Sequence, residues 1–599
     1  MKHLLFMNNR IRITSVILLS FVFANMPVIA KAQSLQYVMD MVYNNPGEKP
    51  FDVKYNDPVF LKSEGYTSTT PPWHINCLIT YDNLKKNIVP KGSDARKWIE
   101  AHAAEIDKKL DACERAGIDV FPFTDFLVLP KVIWEKYGDS LRLNTKIEKN
   151  EEVRGGESKI TPDINRPLTQ KILRAQIAGI FDRFPQLDGI MLRFGETYLH
   201  DTPFHSGSSP VRTIQDHIVF INILREEICV KRNKKLFYRT WDFGNNFHNN
   251  GEFYLKVTNA IEPHPNLIFS IKYTQNDFLR MSNFNPSLGK GKHQQIVEAQ
   301  SAMEAYGKGS HPYYTAGCVI NGFPEARYKI DFWAAKRTDN LLPAGSYRGV
   351  KDLLPTGLLK GIWTWSSGGG WQGPYLKSTV WKDLNSYVIS HWGQNTSKTE
   401  EELCYEYAKT IGIEGFNADI FRKIALLSVE AVRKGQCSDY TRNNLWWARD
   451  NFFSVEYNKE AVNEIIKNNL SENVLSEKAE SVAMWLQIES LSKQLQLDDK
   501  NLEEALQVSC SYGRIKYQLT EQMWYLMIQN ALRLQSKTYN QIGIQKAIIR
   551  YDELWAEWRN LAKSPWCATL YKDTQFLDER KGSIGELVDT LRQLPVIAD

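Results

Sequence analysis

The chain has 599 residues, too many for one hydrophobic core, so two or three domains are expected. Hydrophobic residues make up 43% and charged residues 24%, proportions that are ordinary for soluble globular proteins and exclude a disordered or fibrous class. A net charge of +5 is too dilute over this length to indicate nucleic acid as a partner.

The first 32 residues have the pattern of a secretory signal peptide. Basic residues Arg10 and Arg12 precede an apolar run over 15–30, and small residues end that run just before Gln33. The run is short for a membrane-spanning helix, and no cysteine that could carry a lipid follows it closely. We therefore expect residues 1–32 to be removed and the protein to be exported, periplasmic or extracellular, without a membrane anchor.

The eight cysteines are scattered singly along the chain. None forms a Cys-x-x-Cys pair, so their spacing argues against a zinc or redox site. An exported protein permits disulfides, but a chain of this size does not need them. Buried free thiols are therefore expected.

Residues 33–72 contain Pro and Tyr in no regular pattern and are interpreted as an N-terminal extension lying over the main domain. Strand and helix patterns then alternate through 73–395. Strands are predicted at 74–82, 120–127, 189–194, 236–241, 267–273, 294–300, 313–319 and 358–365. Helices are predicted at 95–116, 167–183, 212–230, 252–261 and 324–337. This alternation is typical of parallel strands with crossover helices, and it predicts an α/β fold with a (β/α)8 TIM barrel as the catalytic domain.

The remaining residues, 396–599, have a helical pattern with few β-branched runs and little Pro. Helices are predicted at 399–411, 417–434, 458–470, 474–495, 499–512, 516–536, 540–563 and 583–593. The barrel is therefore expected to be followed by an all-helical C-terminal domain. A homodimer formed through this helical domain is a further expectation.

The stretch 188–196 combines a short apolar run with a carboxylate just past its end. Gly189 and Gly195 bound the run, and Glu196 follows. In a parallel barrel, the side chains at the carboxyl ends of the strands line the active site. Glu196 is therefore a candidate general acid, although a surface Glu after a strand would give the same pattern.

Three later predicted strands also end in charged residues. These residues are Arg239, Asp242, Lys272, Asp277, Glu298 and Glu304. Hydrolysis of a glycoside needs two carboxyl groups, one protonated to assist the leaving oxygen and one ionised to activate water or to attack. Burial and crowding of like charges separate their pKa values. Carboxylates at successive strand ends can supply both groups, although surface charges also occur at strand ends.

Several segments resemble the α-glucuronidases of glycoside hydrolase family 67. The stretch 189–196 is similar to that family's Gly-Phe-Leu-Val-Lys-…-Ser-Glu-Gly segment, and 238–241 is similar to its Trp-Arg-Ala-Phe segment. The segment 266–278 resembles Asn-Val-Ile-Leu-Gln-Val-Lys-…-Asp-Phe, and 284–289 matches Phe-x-Pro-x-x-Gly. The stretch 298–304 resembles the family's Glu-Phe-Gln-…-Gln-Glu-Tyr strand. The resemblance covers the barrel region only.

This resemblance implies a role for each matching residue. Glu196 would be the general acid, while Asp277 and Glu304 together would hold and deprotonate the attacking water, as in an inverting enzyme. Arg239 and Lys272 would contact the substrate, and a bidentate contact from an Arg suits a uronate carboxylate. Arg193, Trp241 and Glu298 are further candidate substrate-binding residues. Glu298 would be the runner-up for the second of these two base positions. The residues alone leave open that Arg239 and Lys272 form structural salt bridges.

A Trp- and Gly-rich stretch, 363–375, follows the last predicted strand. Trp365 or Trp371 would form a platform under a sugar ring at the barrel mouth, or the Trp residues would plug the barrel against the helical domain. The stretch has no Gly-Lys-Ser/Thr, which argues against a phosphate loop. The loop that contains His200 and His205 lacks the spacing of metal ligands. No cofactor and no metal are expected.

These features predict an exported glycoside hydrolase that cleaves an α-linked sugar, with a uronic acid as one candidate, from a polysaccharide or oligosaccharide. An inverting mechanism is implied by the resemblance. One alternative is a retaining exo-glycosidase on the same barrel, with Asp277 or Glu304 as the nucleophile. The other is a non-catalytic protein that binds glycans on aromatic platforms.

Overall fold

A computed structural model describes residues 34–43, 53–143, 152–154, 160–199, 201–242, 246–278, 280–301, 311–368, 377–443, 454–567 and 580–595. At 43, 152–154, 196, 198 and 368 it describes the backbone alone.

Eight parallel strands form the sheet at the centre of the first domain. They are β1 Tyr37–Tyr43, β2 Ser68–Thr69, β3 (Asp119–Val120 and Phe123–Thr124), β4 Gly189–Leu192, β5 Lys235–Arg239, β6 Leu267–Lys272, β7 Gln294–Gln300 and β8 Leu359–Gly368. Each strand pairs with the next along the chain, and β8 pairs with β1. A chain order that equals the spatial order is the signature of a (β/α)8 barrel, so the predicted fold class is confirmed.

The sheet closes through β3, which bonds to both of its neighbours. Phe121 donates its backbone N–H to Thr69 of β2 at 3.0 Å, and Met191 of β4 donates to the carbonyl of Pro122 at 3.1 Å. Pro122 has no N–H to offer the ladder, and β3 is split into two short pieces there. The cylinder therefore has no free sheet edge at this point.

Aromatic side chains fill the part of the barrel interior that lies nearer the amino ends of the strands. The ring of Phe237 lies 5.0 Å from Tyr37 and 4.7 Å from Phe121, both edge to face. Above this layer, Trp363 donates its indole N–H to Ser270 Oγ at 2.8 Å. The interior is thus a packed core rather than a pore, and the active sites of such barrels lie at the carboxyl ends of the strands.

Helices surround the strands. They are α1 Pro58–Ser63, α2 Asp94–Ala116, α3 Lys131–Leu141, α4 Pro167–Arg183, α5 Ile214–Leu224 (continued as a π-helix over Arg225–Val230), α6 Gly251–Thr258, α7 Ala316–Asn321 and α8 Val380–Gln394. Helix α2 begins at the Ser93 cap and ends at Gly117, whose φ of 69° suits a residue without a side chain. Short strand pairs join 129–130 to 205–206, 152–154 to 196–198, and 328–331 to 336–341.

The second domain is helical in the residues described. Its helices are α9 Glu400–Thr410, α10 Gly415–Gln436, α11 Val455–Lys467, α12 Ser471–Ser492, α13 Lys500–Leu534, α14 Gln541–Leu561 and α15 Ile584–Leu591. The two helices predicted at 499–512 and 516–536 form the single helix α13. No helix in the described part of the chain is long and apolar enough to cross a membrane. The eight cysteines have free thiols.

The start of the barrel differs from its prediction. Strands β1 and β2 lie within 33–72, so the interpretation of that segment as an extension outside the barrel is wrong for these residues. The strand predicted at 74–82 is a 3-10 turn, Ile75–Cys77, followed by loop. His74 precedes it with a φ of 47°, a left-handed conformation that does not continue a strand.

Two elements between β7 and β8 also differ. The predicted strand 313–319 includes the first part of helix α7, and the predicted helix 324–337 is a 3-10 turn followed by the hairpin 328–341. The side-chain amide of Asn283 bonds to both backbone groups of Ile330, at 2.8 and 3.1 Å. This tertiary contact favours the hairpin over the local helical pattern.

Candidate active site

The barrel mouth is lined by charged side chains from successive strand ends. Arg193 follows β4, Arg239 ends β5, Lys272 ends β6 and Glu298 lies near the end of β7. Each is at most 2% exposed. Charged groups at this depth are stable only when they are paired and hydrogen-bonded, so their partners define the chemistry of the mouth.

Arg239 and Glu298 form a bidentate ion pair inside the barrel. Nε of Arg239 donates to Oε2 at 2.8 Å, and Nη2 donates to Oε1 at 2.5 Å. The side chains are 2% and 0% exposed. The guanidinium lies 5.2 Å from the ring of Phe123 and 5.6 Å from that of Trp365. This is the structural salt bridge that the sequence left open for Arg239, and it occupies both oxygens of Glu298.

Arg193 is held by a carboxylate that the sequence analysis did not single out. Its Nε and Nη2 donate to the two carboxylate oxygens of Asp125, at 2.8 and 2.5 Å. Asp125 directly follows β3, and its side chain is 6% exposed. Nothing in the sequence marked Asp125 as a strand end, because the strand was predicted to continue past it to residue 127; the structure ends the strand at Thr124.

Lys272 lies between a carboxylate and aromatic rings. Its ammonium is 2.5 Å from Oδ1 of Asp277 and lies over the rings of Trp241 at 3.6 Å and Phe278 at 4.5 Å. Burial lowers the pKa of Lys272, and the negative charge of Asp277 opposes that shift. The side chain of Asp277 is 12% exposed. Asp277 is therefore more accessible from the mouth than Glu298.

The loop after β4, which carries Glu196, lies close to the loop after β5. Gly195, with a φ of 84°, precedes Glu196, and a Cβ at Gly195 would lie 2.9 Å from the backbone of Asp242. The backbone of Glu196 then begins the short strand that pairs with 152–154. Asp242 accepts a hydrogen bond from the backbone N–H of Phe247 at 2.7 Å, so its carboxylate shapes the loop after β5. The side chain of Glu196 lies outside the described residues, as do Glu304 and Trp371.

Gln300 is a mouth residue that the sequence analysis missed. It ends β7, two residues after Glu298, and is 4% exposed. Its Nε2 has no hydrogen-bond partner among the described residues. The sequence places Gln300 at the end of a predicted strand. It does not indicate that the side-chain amide of Gln300 is buried without a hydrogen-bond partner.

A cavity away from the mouth offers less chemistry. A cavity of about 210 Å³ lies at the opposite end of the barrel, where Asp119 and Asp188 line it at the start of β3 and β4. Strand starts in a TIM barrel serve stability rather than catalysis. No cluster of three or more potential metal ligands occurs in the part of the chain that the structure describes.

The arrangement at the mouth can serve carbohydrate chemistry. It offers a carboxylate, Asp277, beside aromatic faces that suit the apolar C–H faces of a sugar ring. Its three buried cations, Arg193, Arg239 and Lys272, are each matched by an acid. The mouth therefore combines charged groups with a low exposure to water, and in such a site electrostatic effects are strong.

No family model and no curated protein matches this chain. Among solved structures, a GH138 enzyme targeting pectin rhamnogalacturonan II aligns with 94% of this chain and 67% of its own, at 12% identity and a TM-score of 0.53. An O-GlcNAc hydrolase mutant from Thermobaculum terrenum aligns with 93% of this chain and 93% of its own, at 9% identity and a TM-score of 0.34. A chitobiase from Flavobacterium johnsoniae aligns with 86% and 75%, at 13% identity and a TM-score of 0.31.

The likeness to the GH138 enzyme extends over nearly the whole chain, so it includes the helical domain as well as the barrel. At this identity it shows the fold and does not single out family 67. The chain therefore has a barrel joined to a helical C-terminal domain, a fold that it shares with the GH138 enzyme.

Proposed function

We propose that the protein is an exported glycoside hydrolase that removes an α-linked sugar, in particular a uronic acid, from a polysaccharide or oligosaccharide. The observation that carries the proposal is the Lys272–Asp277 pair, which lies beside Trp241 at the carboxyl end of a glycosidase-type barrel. Substrates of such barrels bind at this end. The GH138 neighbour targets a pectin, which supports a plant polysaccharide as the source of the substrate.

In the proposed mechanism, two carboxyl groups act on opposite sides of the glycosidic bond. Glu196 gives its proton to the leaving oxygen. Asp277, as the partner of the Lys272 ammonium, is a carboxylate and can accept a proton from water, with Glu304 as the second group that holds this water. The resemblance of 189–196 and 266–278 to family 67 supports these roles and an inverting outcome.

The test is a hydrolysis screen of the purified protein on plant and algal glycans, with the released sugar identified by NMR. Glu196→Gln keeps the size of the side chain but removes the acidic proton. We expect it to lower kcat about 10²- to 10⁴-fold on substrates with poor leaving groups, the usual contribution of a general acid. The matched control is Glu105→Gln on the exposed face of α2, which should leave kcat unchanged.

The same screen separates the alternatives. Turnover by Glu196→Gln at the wild-type rate would remove Glu196 as the acid. The configuration of the first anomer released distinguishes an inverting enzyme from a retaining one with Asp277 as nucleophile. Binding of a glycan without hydrolysis over the whole panel would indicate a glycan-binding protein instead.

A further inference from the structure

Gln300 and Glu298 project to the same side of strand β7. Successive side chains of a strand point to opposite faces, so residues two apart share a face. Glu298 faces the barrel interior, because it meets Arg239 of β5 there. Gln300 therefore faces the interior as well, one step closer to the mouth, and it stands opposite Trp365 in the pairing of β7 with β8.

The unpaired amide of Gln300 is unusual for a buried glutamine. Gln295, on the same strand but the opposite face, is 1% exposed, and its Nε2 donates to Tyr254 Oη at 3.0 Å and to the carbonyls of Ser287 and Lys290 at 3.1 Å. Its Oε1 accepts the N–H of Gly289 at 2.8 Å. Buried amides are normally satisfied in this way, and an unsatisfied one calls for an explanation.

We propose that Gln300 is a substrate-contacting residue whose amide donates a hydrogen bond to an oxygen of the sugar bound at the mouth. This inference rests on the proposed function and adds a residue to it. The basic groups of the mouth, Arg193, Arg239 and Lys272, already face carboxylates. A neutral amide suits a sugar hydroxyl, which both donates and accepts hydrogen bonds.

A donor that is buried before the substrate arrives also provides selectivity. A sugar with an oxygen at the matching position satisfies the amide, whereas its deoxy analogue leaves the amide unpaired. Sites built to hydrogen-bond a hydroxyl reject analogues that lack it much more strongly than apolar pockets reject an extra group. Gln300 is therefore expected to distinguish the substrate from its deoxy analogue.

The test compares Gln300→Leu with the matched control Gln295→Leu. Both variants replace a buried amide of β7 with an apolar side chain. We expect Gln300→Leu to unfold at the wild-type Tm or above it, because it loses no hydrogen bond within the protein. Its KM should rise about three- to tenfold, the usual effect of one lost neutral hydrogen bond. Gln295→Leu should lower Tm and leave KM unchanged.

The Tm and KM of Gln300→Leu distinguish a substrate contact from a structural role. A drop in Tm for Gln300→Leu as large as that for Gln295→Leu would show that Gln300 has a structural partner, and would overturn the inference. Unchanged KM and kcat for Gln300→Leu, beside an active wild type, would also overturn it while the proposed function stands. A wild type that neither binds nor hydrolyses any glycan of the panel would overturn the proposed function, and the inference with it.

Discussion

Arg239 and Glu298 differ from Lys272 and Asp277 in how deeply they lie. The first pair is 2% and 0% exposed in its side chains, while Asp277 is 12% exposed. Two carboxylates that were both considered from the sequence for the activation of water therefore have different surroundings. Glu298 holds an arginine beneath the mouth, and Asp277 is the more exposed of the two carboxylates.

This difference predicts a large stability effect at Glu298. Glu298→Gln leaves the buried guanidinium of Arg239 without its compensating charge. We expect it to lower the free energy of unfolding by about 3–5 kcal/mol, the usual cost of breaking a buried pair. Urea denaturation measures this loss. The double variant Arg239→Met with Glu298→Leu should recover part of it. A loss below about 1 kcal/mol for Glu298→Gln would contradict the structural role.

At the residue scale, the sequence predicted which charged residues lie at strand ends better than it predicted their ion-pair partners. Arg239, Lys272 and Asp277 were found because they end apolar runs. The acids that hold Arg193 and Arg239 stand 68 and 59 residues away from them in the chain. Such pairings depend on the closure of the barrel and on side-chain direction, which local periodicity does not contain.

At the scale of elements, strand β1 carries a buried acid on its outer face. Asp40 is 1% exposed, and its two oxygens accept hydrogen bonds from Thr364 Oγ1 at 2.5 Å and Ser366 Oγ at 2.6 Å. Tyr66 Oη contacts Thr364 Oγ1 at 3.2 Å, and Lys382 of α8 donates to Ser367 at 2.9 Å. Burial raises the pKa of Asp40 to about 7, although the hydroxyl groups oppose this shift.

The raised pKa predicts a pH dependence of stability. The folded protein holds a proton on Asp40 between about pH 4 and 7, where the unfolded chain has lost it. The contribution of Asp40 is therefore fully present below about pH 4 and is lost as pH rises through about 7.

Thermal unfolding of the wild type and of Asp40→Asn across this range isolates the effect, because other titrating groups are common to both proteins. We expect the wild type to lose stability relative to Asp40→Asn as pH rises, by about 1.4 kcal/mol per unit of pKa shift. Parallel curves for the two proteins would contradict the prediction.

Strand β1 itself was missed because its sequence, Tyr-Val-Met-Asp-Met-Val-Tyr, is apolar on both faces apart from Asp40. Such a strand lacks the alternation that marks a half-buried strand. The longer elements were predicted closely: α4 and β7 have the predicted bounds. The hairpin 328–341 was not predicted, since the contact with Asn283 that fixes it comes from another loop.

At the scale of the molecule, the helical domain braces the barrel near the mouth. Lys516 Nζ and Tyr517 Oη of α13 lie 3.3 and 3.5 Å from His311 Nε2. His311 is the first described residue after β7 and Ser301. Trp485 of α12 stacks on Tyr517 with ring centres 5.0 Å apart. The described segment that begins at His311 is therefore held by the second domain.

Gly513 lies at the centre of this contact. A Cβ there would lie 2.3 Å from the Trp485 ring and 2.8 Å from His311 Cβ. We expect Gly513→Ala to lower the free energy of unfolding by about 1–3 kcal/mol through overpacking and to lower kcat/KM as well. Denaturation and kinetics measure the two effects.

The matched control is Gly138→Ala in α3, where the nearest atoms belong to the movable end of Arg142 at 3.2 Å. It should be neutral or stabilising, because Ala is the better helix former. Equal behaviour of the two variants would contradict the bracing role of Gly513.

The order of the two domains was predicted from periodicity, because alternating and purely helical patterns differ over hundreds of residues. The contact between the two domains was not predicted, because Lys516 and His311 are 205 residues apart in the chain. Export and dimerisation stay predictions of the sequence.

The closing position of β1 has a consequence for folding. Asp40 meets a partner 324 residues later in the chain, so the seam between β1 and β8 cannot form until most of the barrel sequence is available. Pairings this remote slow folding, and until they form, the strands on either side of the seam expose backbone groups that can pair with other chains. Refolding at low protein concentration, or in the presence of molecular chaperones that shield unpaired strands, should therefore raise the yield of the folded protein.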